Sequence, residues 1–310
     1  MHPAFAPGDG ASIPIWFVTA ETFTQVREQL WAAARRFAET ARFEPKAGQF
    51  LLLPGENGAL SGVLFGLERA DRPDKDRFLP GRLPALLPPG TYRFANAPHD
   101  TRLAALAFAL GSYKFTRYRK ADANGARLVI PGGVDGEDVS RIAEGVALAR
   151  DLINTPANDL GPAELEQAAR DLAARHGAGI RSIVGEDLLR QNFPLIHAVG
   201  RASPRAPRLI DLTWGDAAHP KVTLVGKGVC FDTGGLDIKP DSGMLIMKKD
   251  MGGAANVLAA AHMIMGARLK VRLRVLIPAV ENAISGDAFR PLDIYKSRKG
   301  ITVEIGNTDA

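Results

Sequence analysis

Between Val225 and Ala255 the chain reads VGKGVCFDTGGLDIKPDSGMLIMKKDMGGAA. A β-like run, VTLVGKG, enters this segment and an apolar, helix-like run leaves it, with lysines and aspartates set among glycines in between. Few folds accommodate that order. Glycines let the backbone turn tightly and come close to a ligand. The carboxyl edge of a strand in an open α/β sheet is where ligands bind. Lys227 lies at the end of the β-like run, and Asp232 follows it, then Thr233-Gly234-Gly235. Lys239 precedes Pro240, and Asp250 precedes Met251-Gly252-Gly253 and the helix-like run.

The flanking sequence supports the same class. Residues 13–18 predict a strand, and residues 22–39 predict one helix that Thr22 could cap. Runs at 48–53 and 60–67 read as a hairpin. A charged loop, ADRPDKDR, follows, then a turn and strand within 83–95, a helix at 101–118 and a strand at Arg127–Ile130. Residues 135–153 predict a helix started by Asp135 or Asp138, ending at Asn154-Thr155-Pro156 because the residue before proline avoids helical geometry. Beyond it come a helix at 163–175, a strand at 180–184, a short helix at Glu186–Gln191, strands at 208–214 and Lys221–Gly226, a helix at 253–265 and a strand at Arg272–Val280. Alternating β and α elements predict an α/β sheet with helices on both faces. The expected organisation is an N-terminal α/β domain at 1–134, a connecting helix at 135–156 and a second α/β domain at 157–310.

Composition removes several classes. At 310 residues the chain is long enough for roughly two domains. No run approaches the ~20 apolar residues of a membrane span, and the N-terminus has no signal-peptide pattern. A single cysteine, Cys230, excludes an intrachain disulfide and argues against a Cys-type zinc site, so a cytoplasmic protein is expected. Apolar neighbours predict a buried thiol there. The net charge of +5 comes from dispersed basic residues, not interleaved with aromatics along one element, so nucleic acid is not the expected partner.

Taken singly, the polar residues of the motif have ordinary readings. Asp250 reads as a helix N-cap, Asp232 as a turn aspartate, and Lys227 and Lys239 as surface charge. The order GKGVCFDTGG is not that of a phosphate-binding P-loop. Taken together, carboxylates converging on one strand edge suggest a hard divalent cation.

The segment 225–310 resembles the leucyl aminopeptidase family, the two-metal cytosol aminopeptidases. The matching phrases are VGKG-x-x-FD-x-GG at 225–235, IKP at 238–240, M-x-x-DM-x-GAA at 247–255, EN at 281–282, RP at 290–291 and NTDA at 307–310. ARDLINTPANDLGP (149–162) and FPLIHAVGRASPRAPRLIDLTW (193–214) are similar too. The N-terminal half is similar in its general α/β pattern, macro-like by resemblance, and the second domain is expected to carry a mixed sheet flanked by helices. Carried over by position, the resemblance implies that Lys227, Asp232 and Asp250 ligate one metal, and that Asp232 bridges to a second, which Asp309 also binds. It implies that Lys239 is the catalytic lysine polarising the scissile carbonyl, and that Met247 lines the pocket for the substrate's first side chain. A core methionine is the competing reading of Met247. The activity implied is release of N-terminal amino acids, leucine-type, from peptides by a hydroxide held between two divalent ions, Mn²⁺ or Zn²⁺, about 3.5–4 Å apart, in a homo-hexamer.

In the family the last phrase continues into a glutamate that bridges both metals and an arginine that holds an anion. This chain reads NTDA at its end, so a C-terminally truncated enzyme or fragment is expected. The rival expectation is a non-catalytic member acting as a DNA-binding or scaffold protein. An N-terminal phosphoanion site finds no glycine-rich loop, since GENGALSG (55–62) reads as a hairpin turn.

Overall fold

In the strand Ile13–Val18, Ile15 and Phe17 are buried in one cluster while Trp16 and Val18 belong to another. This two-residue alternation marks a strand covered by helices on both faces. The computed structural model describes residues 1–8, 10–120 and 125–310. They fall into two units, Met1–Glu144 and Gly145–Ala310.

The first unit runs β1 (Phe5–Ala6), β2 (Ile13–Val18), α1 (Phe23–Gln29), α2 (Ala32–Thr40), β3 (Phe50–Pro54), β4 (Leu60–Gly66), a 3₁₀ turn at Leu79–Arg82, α3 (Leu83–Leu86), β5 (Gly90–Phe94), α4 (Thr101–Gly111) and β6 (Ala126–Val129), and it ends at Glu144 within α5, Gly136–Asn154, whose second half belongs to the second unit. Its sheet has the order β1-β6-β5-β2-β4-β3. β3 is antiparallel to β4, while the other pairs are parallel. On one face Val26, Leu30, Ala34 and Ala38 pack with Val18, Leu53 and Leu64. On the other, Leu83, Phe108, Val139 and Ala143 pack with Ile15, Phe17, Val63 and Phe65.

The second unit continues with α6 (Pro162–His176), β7 (Gly179–Val184), α7 (Asp187–Arg190), α8 (Pro194–Gly200), β8 (Arg208–Trp214), β9 (Lys221–Val225), β10 (Gly228–Asp232), α9 (Asp241–Met244), a 3₁₀ turn at Met247–Met251, α10 (Gly252–Gly266), β11 (Arg272–Asn282), β12 (Ile294–Lys296) and β13, Thr302–Glu304. β11 is the spine of its mixed sheet. β9 runs parallel to its first half and β10 to its last residues, so β9 and β10 are one strand line broken at Gly226-Lys227. β8 lies antiparallel on the other side of β11, and β7 antiparallel to β8. Helices α6 and α10 cover one face through Leu165, Leu172, Leu258 and Met265 against Leu212, Val275 and Ile277. Leu188, Phe193 and Ile196 cover Ile183, Leu209 and Leu276 on the other. The α/β class with a mixed, helix-flanked sheet is therefore observed.

Several local expectations are corrected. The helix expected over 22–39 is two, because Leu30 and Trp31 are extended. Trp31 leaves the helix to donate its indole N–H to the Pro54 carbonyl at 2.9 Å and to pack with Val26 and Leu30. Thr22 does not cap through its side chain, since its hydroxyl accepts the Thr19 N–H at 2.9 Å. The helix expected to reach 118 ends at Gly111, where the Ser112 hydroxyl takes the Ala109 carbonyl at 2.7 Å. Asp135 starts α5 by accepting the N–H groups of Glu137 and Asp138. Cys230 is 1% exposed, and burial pushes its thiol well up.

On the sheet face that Leu209 and Leu276 share, Asp211 sits between two arginines. Arg181 stands opposite it on β7 and donates at 2.8 Å, and Arg274 donates from β11 at 2.8 and 2.9 Å. Burial alone would raise the Asp211 carboxyl, but the Arg274 and Arg181 hydrogen bonds outweigh it and hold it below the ordinary carboxylate range. A carboxylate with a lowered folded value contributes its stability above the unfolded value and loses it as pH falls through the folded one. Asp211→Asn is expected to cost about 1–2 kcal/mol at neutral pH in urea denaturation. The difference from the parent should close as pH falls below the carboxylate range, and a difference that grows with acid would contradict this assignment.

Candidate functional site

β10 ends at Asp232, which is 1% exposed. Its Oδ1 accepts the Gly234 N–H at 2.8 Å and the Asn282 Nδ2–H at 2.9 Å. Its Oδ2 faces Lys239 Nζ at 3.7 Å, too far for a hydrogen bond. The chain then turns through Gly234 and Gly235, whose φ values of +87° and +66° lie where a side chain is strained. A Cβ on Gly235 would also meet the Thr308 Oγ1 at 2.8 Å.

That approach is held from both sides. Thr308, fully buried, donates its hydroxyl to the Gly234 carbonyl at 2.7 Å and accepts the Asp237 N–H at 2.8 Å. Its own N–H donates to Asp237 Oδ2 at 2.9 Å. Asn282, at the end of β11, spends the second Nδ2 hydrogen on the Thr308 carbonyl at 2.8 Å, and its backbone carbonyl accepts from Thr233 N–H and Oγ1–H. No local sequence signal marks Asn282, Thr308 or Asp237 for this role. The phrases EN and NTDA contain the first two, but their pairing spans 26 residues and is invisible until the chain folds.

The clamp delivers Asp309 to Lys239, whose Nζ lies 2.6 Å from both carboxylate oxygens. Asp309 holds the Lys239 ammonium above its usual range, and Lys239 in turn holds the Asp309 carboxyl below its own. Burial pushes the Asp232 carboxyl up, and the neighbouring Asp309 carboxylate adds to this against the Gly234 and Asn282 hydrogen bonds.

Lys227 stands in the break between β9 and β10 and not at the end of an uninterrupted strand. Its carbonyl accepts the Ala254 N–H at 2.8 Å in the first turn of α10, and a Cβ on Gly253 would meet its N at 2.8 Å. Asp250 is therefore not an N-cap; it lies in the 3₁₀ turn before α10, whose cap residue is Met251. Lys227 Nζ is 2.9 Å from Asp250 Oδ2 but off the axis of a hydrogen bond, so that buried oxygen has no hydrogen-bond donor. The ammonium also donates to the Ala310 carbonyl. Met247 opens the 3₁₀ turn and is half-buried, whereas Met251 and Met265 are the core methionines.

The other phrases pack around this centre. Arg205 donates to the carbonyls of Ala157 and Asn158 and to Glu281 Oε1, and Ser203 donates to Glu281 Oε2 at 2.6 Å. Lys248 reaches the Asn154 carbonyl at 2.6 Å. Segments near 155, 205 and 281 are thereby fixed beside Asn282.

Three carboxylates face two ammonium groups. Asp232 Oδ2 and Asp250 Oδ2 each point at a lysine without accepting a hydrogen bond, and oxygens of that kind suit a hard divalent cation. Among the described residues, no group of three or more His, Cys, Asp or Glu is arranged to hold a metal by itself. The lysines stand between the carboxylates, so the donor set fits a cation only with the amines included or displaced.

Comparison with known proteins gives the same site a family context. Residues 147–310 match the cytosol aminopeptidase family, catalytic domain, and residues 13–131 match the M17 aminopeptidase, N-terminal domain. The crystal structure of cytosol aminopeptidase from Coxiella burnetii is similar at 43% identity and a TM-score of 0.91, covering 99% of this chain and 67% of that one. The bottromycin maturation enzyme BotP in complex with Mn is similar at 30% identity and a TM-score of 0.82, covering 97% and 66%. A probable cytosol aminopeptidase of Geobacter sp. (strain M21) is 35% identical over 93% of this chain and 64% of its own length. The chain thus spans about two thirds of that relative, and 47% of a probable cytosol aminopeptidase of Corynebacterium glutamicum.

The clamp makes a direct test. Asn282→Val strands Asp232 Oδ1 and the Thr308 carbonyl with one donor fewer each. It is expected to cost about 2–3 kcal/mol in urea denaturation, and a loss below about 0.5 kcal/mol would show that Asn282 does not hold the site together.

Proposed function

The chain belongs to the cytosol aminopeptidase family, and on that premise we propose that it releases N-terminal amino acids from peptides in a metal-dependent hydrolysis. One observation carries the reading. Asp232 Oδ2, at the end of β10, faces Lys239 Nζ at 3.7 Å, beyond hydrogen-bond distance, and the buried Asp250 Oδ2 faces Lys227 Nζ without a hydrogen-bond donor. Asp232, Asp250 and Asp309 would hold divalent metal, with Lys227 as a fourth donor and Asp232 shared if two ions bind. Mn²⁺ is the first ion to test, since BotP is described with Mn. Bound there, such an ion supplies Lewis-acid polarisation of the reacting groups.

The chain's own residues do the rest. Lys239, held protonated by Asp309, is the electrophile. Its ammonium would donate to the scissile carbonyl oxygen, where negative charge develops. Asn282 and Gly234 fix one Asp232 oxygen, which leaves the other directed at the reacting centre. Met247 is assigned to the side chain of the residue removed. Cytoplasmic location and a homo-hexamer belong to the same reading, and no helix among the described residues is long and apolar enough to cross a membrane.

Leucine anilide hydrolysis with and without Mn²⁺ tests the proposal. Lys239→Ala is expected to lower kcat by about 100-fold or more with bound Mn²⁺ unchanged, and Asp250→Asn to lose Mn²⁺ and turnover together. Unchanged turnover in Lys239→Ala would remove that lysine from the chemistry, and the absence of metal-dependent release by the parent chain would overturn the proposal.

A further inference from the structure

In the N-terminal unit, β2 stands between β4 and β5 and runs parallel to both. The chain leaves β2 for α1 and α2, which pack with Val18 and Leu64 on one face. It leaves β4 and β5 for the Leu79–Arg82 turn, α3 and α4, which pack with Phe17 and Val63 on the other. Loops from adjacent parallel strands therefore part to opposite faces at the carboxyl end of β2. In open α/β sheets this topological switch point is where a ligand crevice forms.

A cavity of about 730 Å³ occupies that position, within the range of about 300–1,000 Å³ common for small-molecule sites. All three exits line it: Thr19 after β2, Arg69, Lys75 and Arg77 after β4, and Asn96 and His99 after β5. The walls are pinned. Asn96 exchanges two hydrogen bonds of 2.8 Å with the Phe17 backbone. His99 Nε2 lies 2.8 Å from the Glu68 carbonyl, which can only accept, so Nε2 carries the proton. Thr19 is buried and donates to Glu21 Oε2 at 2.8 Å. Buried Leu67 and Pro98 add apolar lining.

The charges do not balance. Arg69 takes both lining carboxylates, Glu21 at 2.8 Å and Asp71 at 3.1 Å. Lys75 donates to a neutral partner, the Arg72 carbonyl, at 3.0 Å, and the Arg77 guanidinium has no partner among the described residues. Arg77 thus lines the crevice with no carboxylate partner among the described residues, and Lys75 with none nearer than the Asp71 that Arg69 already holds, while the crevice also offers apolar surface.

We propose that this crevice binds a small organic anion, a phosphate or carboxylate group carried on a ring-sized body, with Arg77 and Lys75 taking the charge. The site is built wholly within the first unit, and its failure or success leaves the aminopeptidase reading untouched. It does not use the hairpin turn at 55–62.

Isothermal titration of the full chain tests it with four probes. Adenosine 5′-monophosphate and indole-3-acetate carry the two anion types, and adenosine and inorganic phosphate present body and anion alone. The expected result is saturable binding of at least one anionic probe, about tenfold or more tighter than adenosine or inorganic phosphate and weakened by salt. Which probe binds identifies the anion. The pair Lys75→Glu and Arg77→Glu, both in an exposed loop, should weaken binding at least about tenfold without moving Tm, and Arg77→Lys should retain it. Lys239→Ala should leave it unchanged. No saturable binding of either anionic probe, equal binding by the charge-reversed variant, or binding lost with Lys239→Ala would each overturn the proposal.

Discussion

The Asn282 carboxamide is the interaction on which the catalytic-side geometry depends. It is 1% exposed, and its Nδ2 carries two hydrogen bonds to segments 50 and 26 residues away, the Asp232 carboxylate and the Thr308 carbonyl. A buried amide is costly unless satisfied, so the two segments cannot part without stranding polar atoms. Because Asn282 ends β11, the spine of the sheet, the strength of the sheet is passed directly to the loop at 232–239 and to Asp309. The glycines follow from the same constraint: at Gly235 the backbone turns against Thr308 so closely that a side chain has no room.

The second constraint is electrostatic. Asp232 is buried and pushed toward neutrality, while Asp309 beside it is held ionised by Lys239. Two carboxylates so placed suit a cation better than they suit each other. The strand break at Gly226-Lys227 serves the same centre. It turns Lys227 to Asp250, and the α10 N–H of Ala254 meets the Lys227 carbonyl across the gap that Gly253 leaves open.

Much of this was legible in the sequence. The alternation of β and α runs reads correctly because helices cover the two large sheets from both sides, while Lys227, Asp232 and Asp250, expected on one strand edge, lie before β10, at its end and in a 3₁₀ turn. What was not legible is long-range. Asn282 and Thr308 carry no local signal of their pairing. Trp31 breaks a well-patterned helix because its indole finds the Pro54 carbonyl, a partner that β3 supplies. Asp250 precedes a helix, as a cap would, yet faces Lys227. The N-terminal crevice was hidden for the same reason: three separate loops build it, and none carries a phosphate-loop pattern.

If the Asp232 and Asp250 carboxylates form a divalent-metal centre in which the lysines give way or ligate, crystals soaked in Mn²⁺ give an anomalous peak at the manganese edge within bonding distance of Asp232 Oδ2 and Asp250 Oδ2, with Lys239 Nζ drawn off Asp309. Saturating Mn²⁺ with no peak there, and the Lys239–Asp309 pair intact, would contradict such a centre.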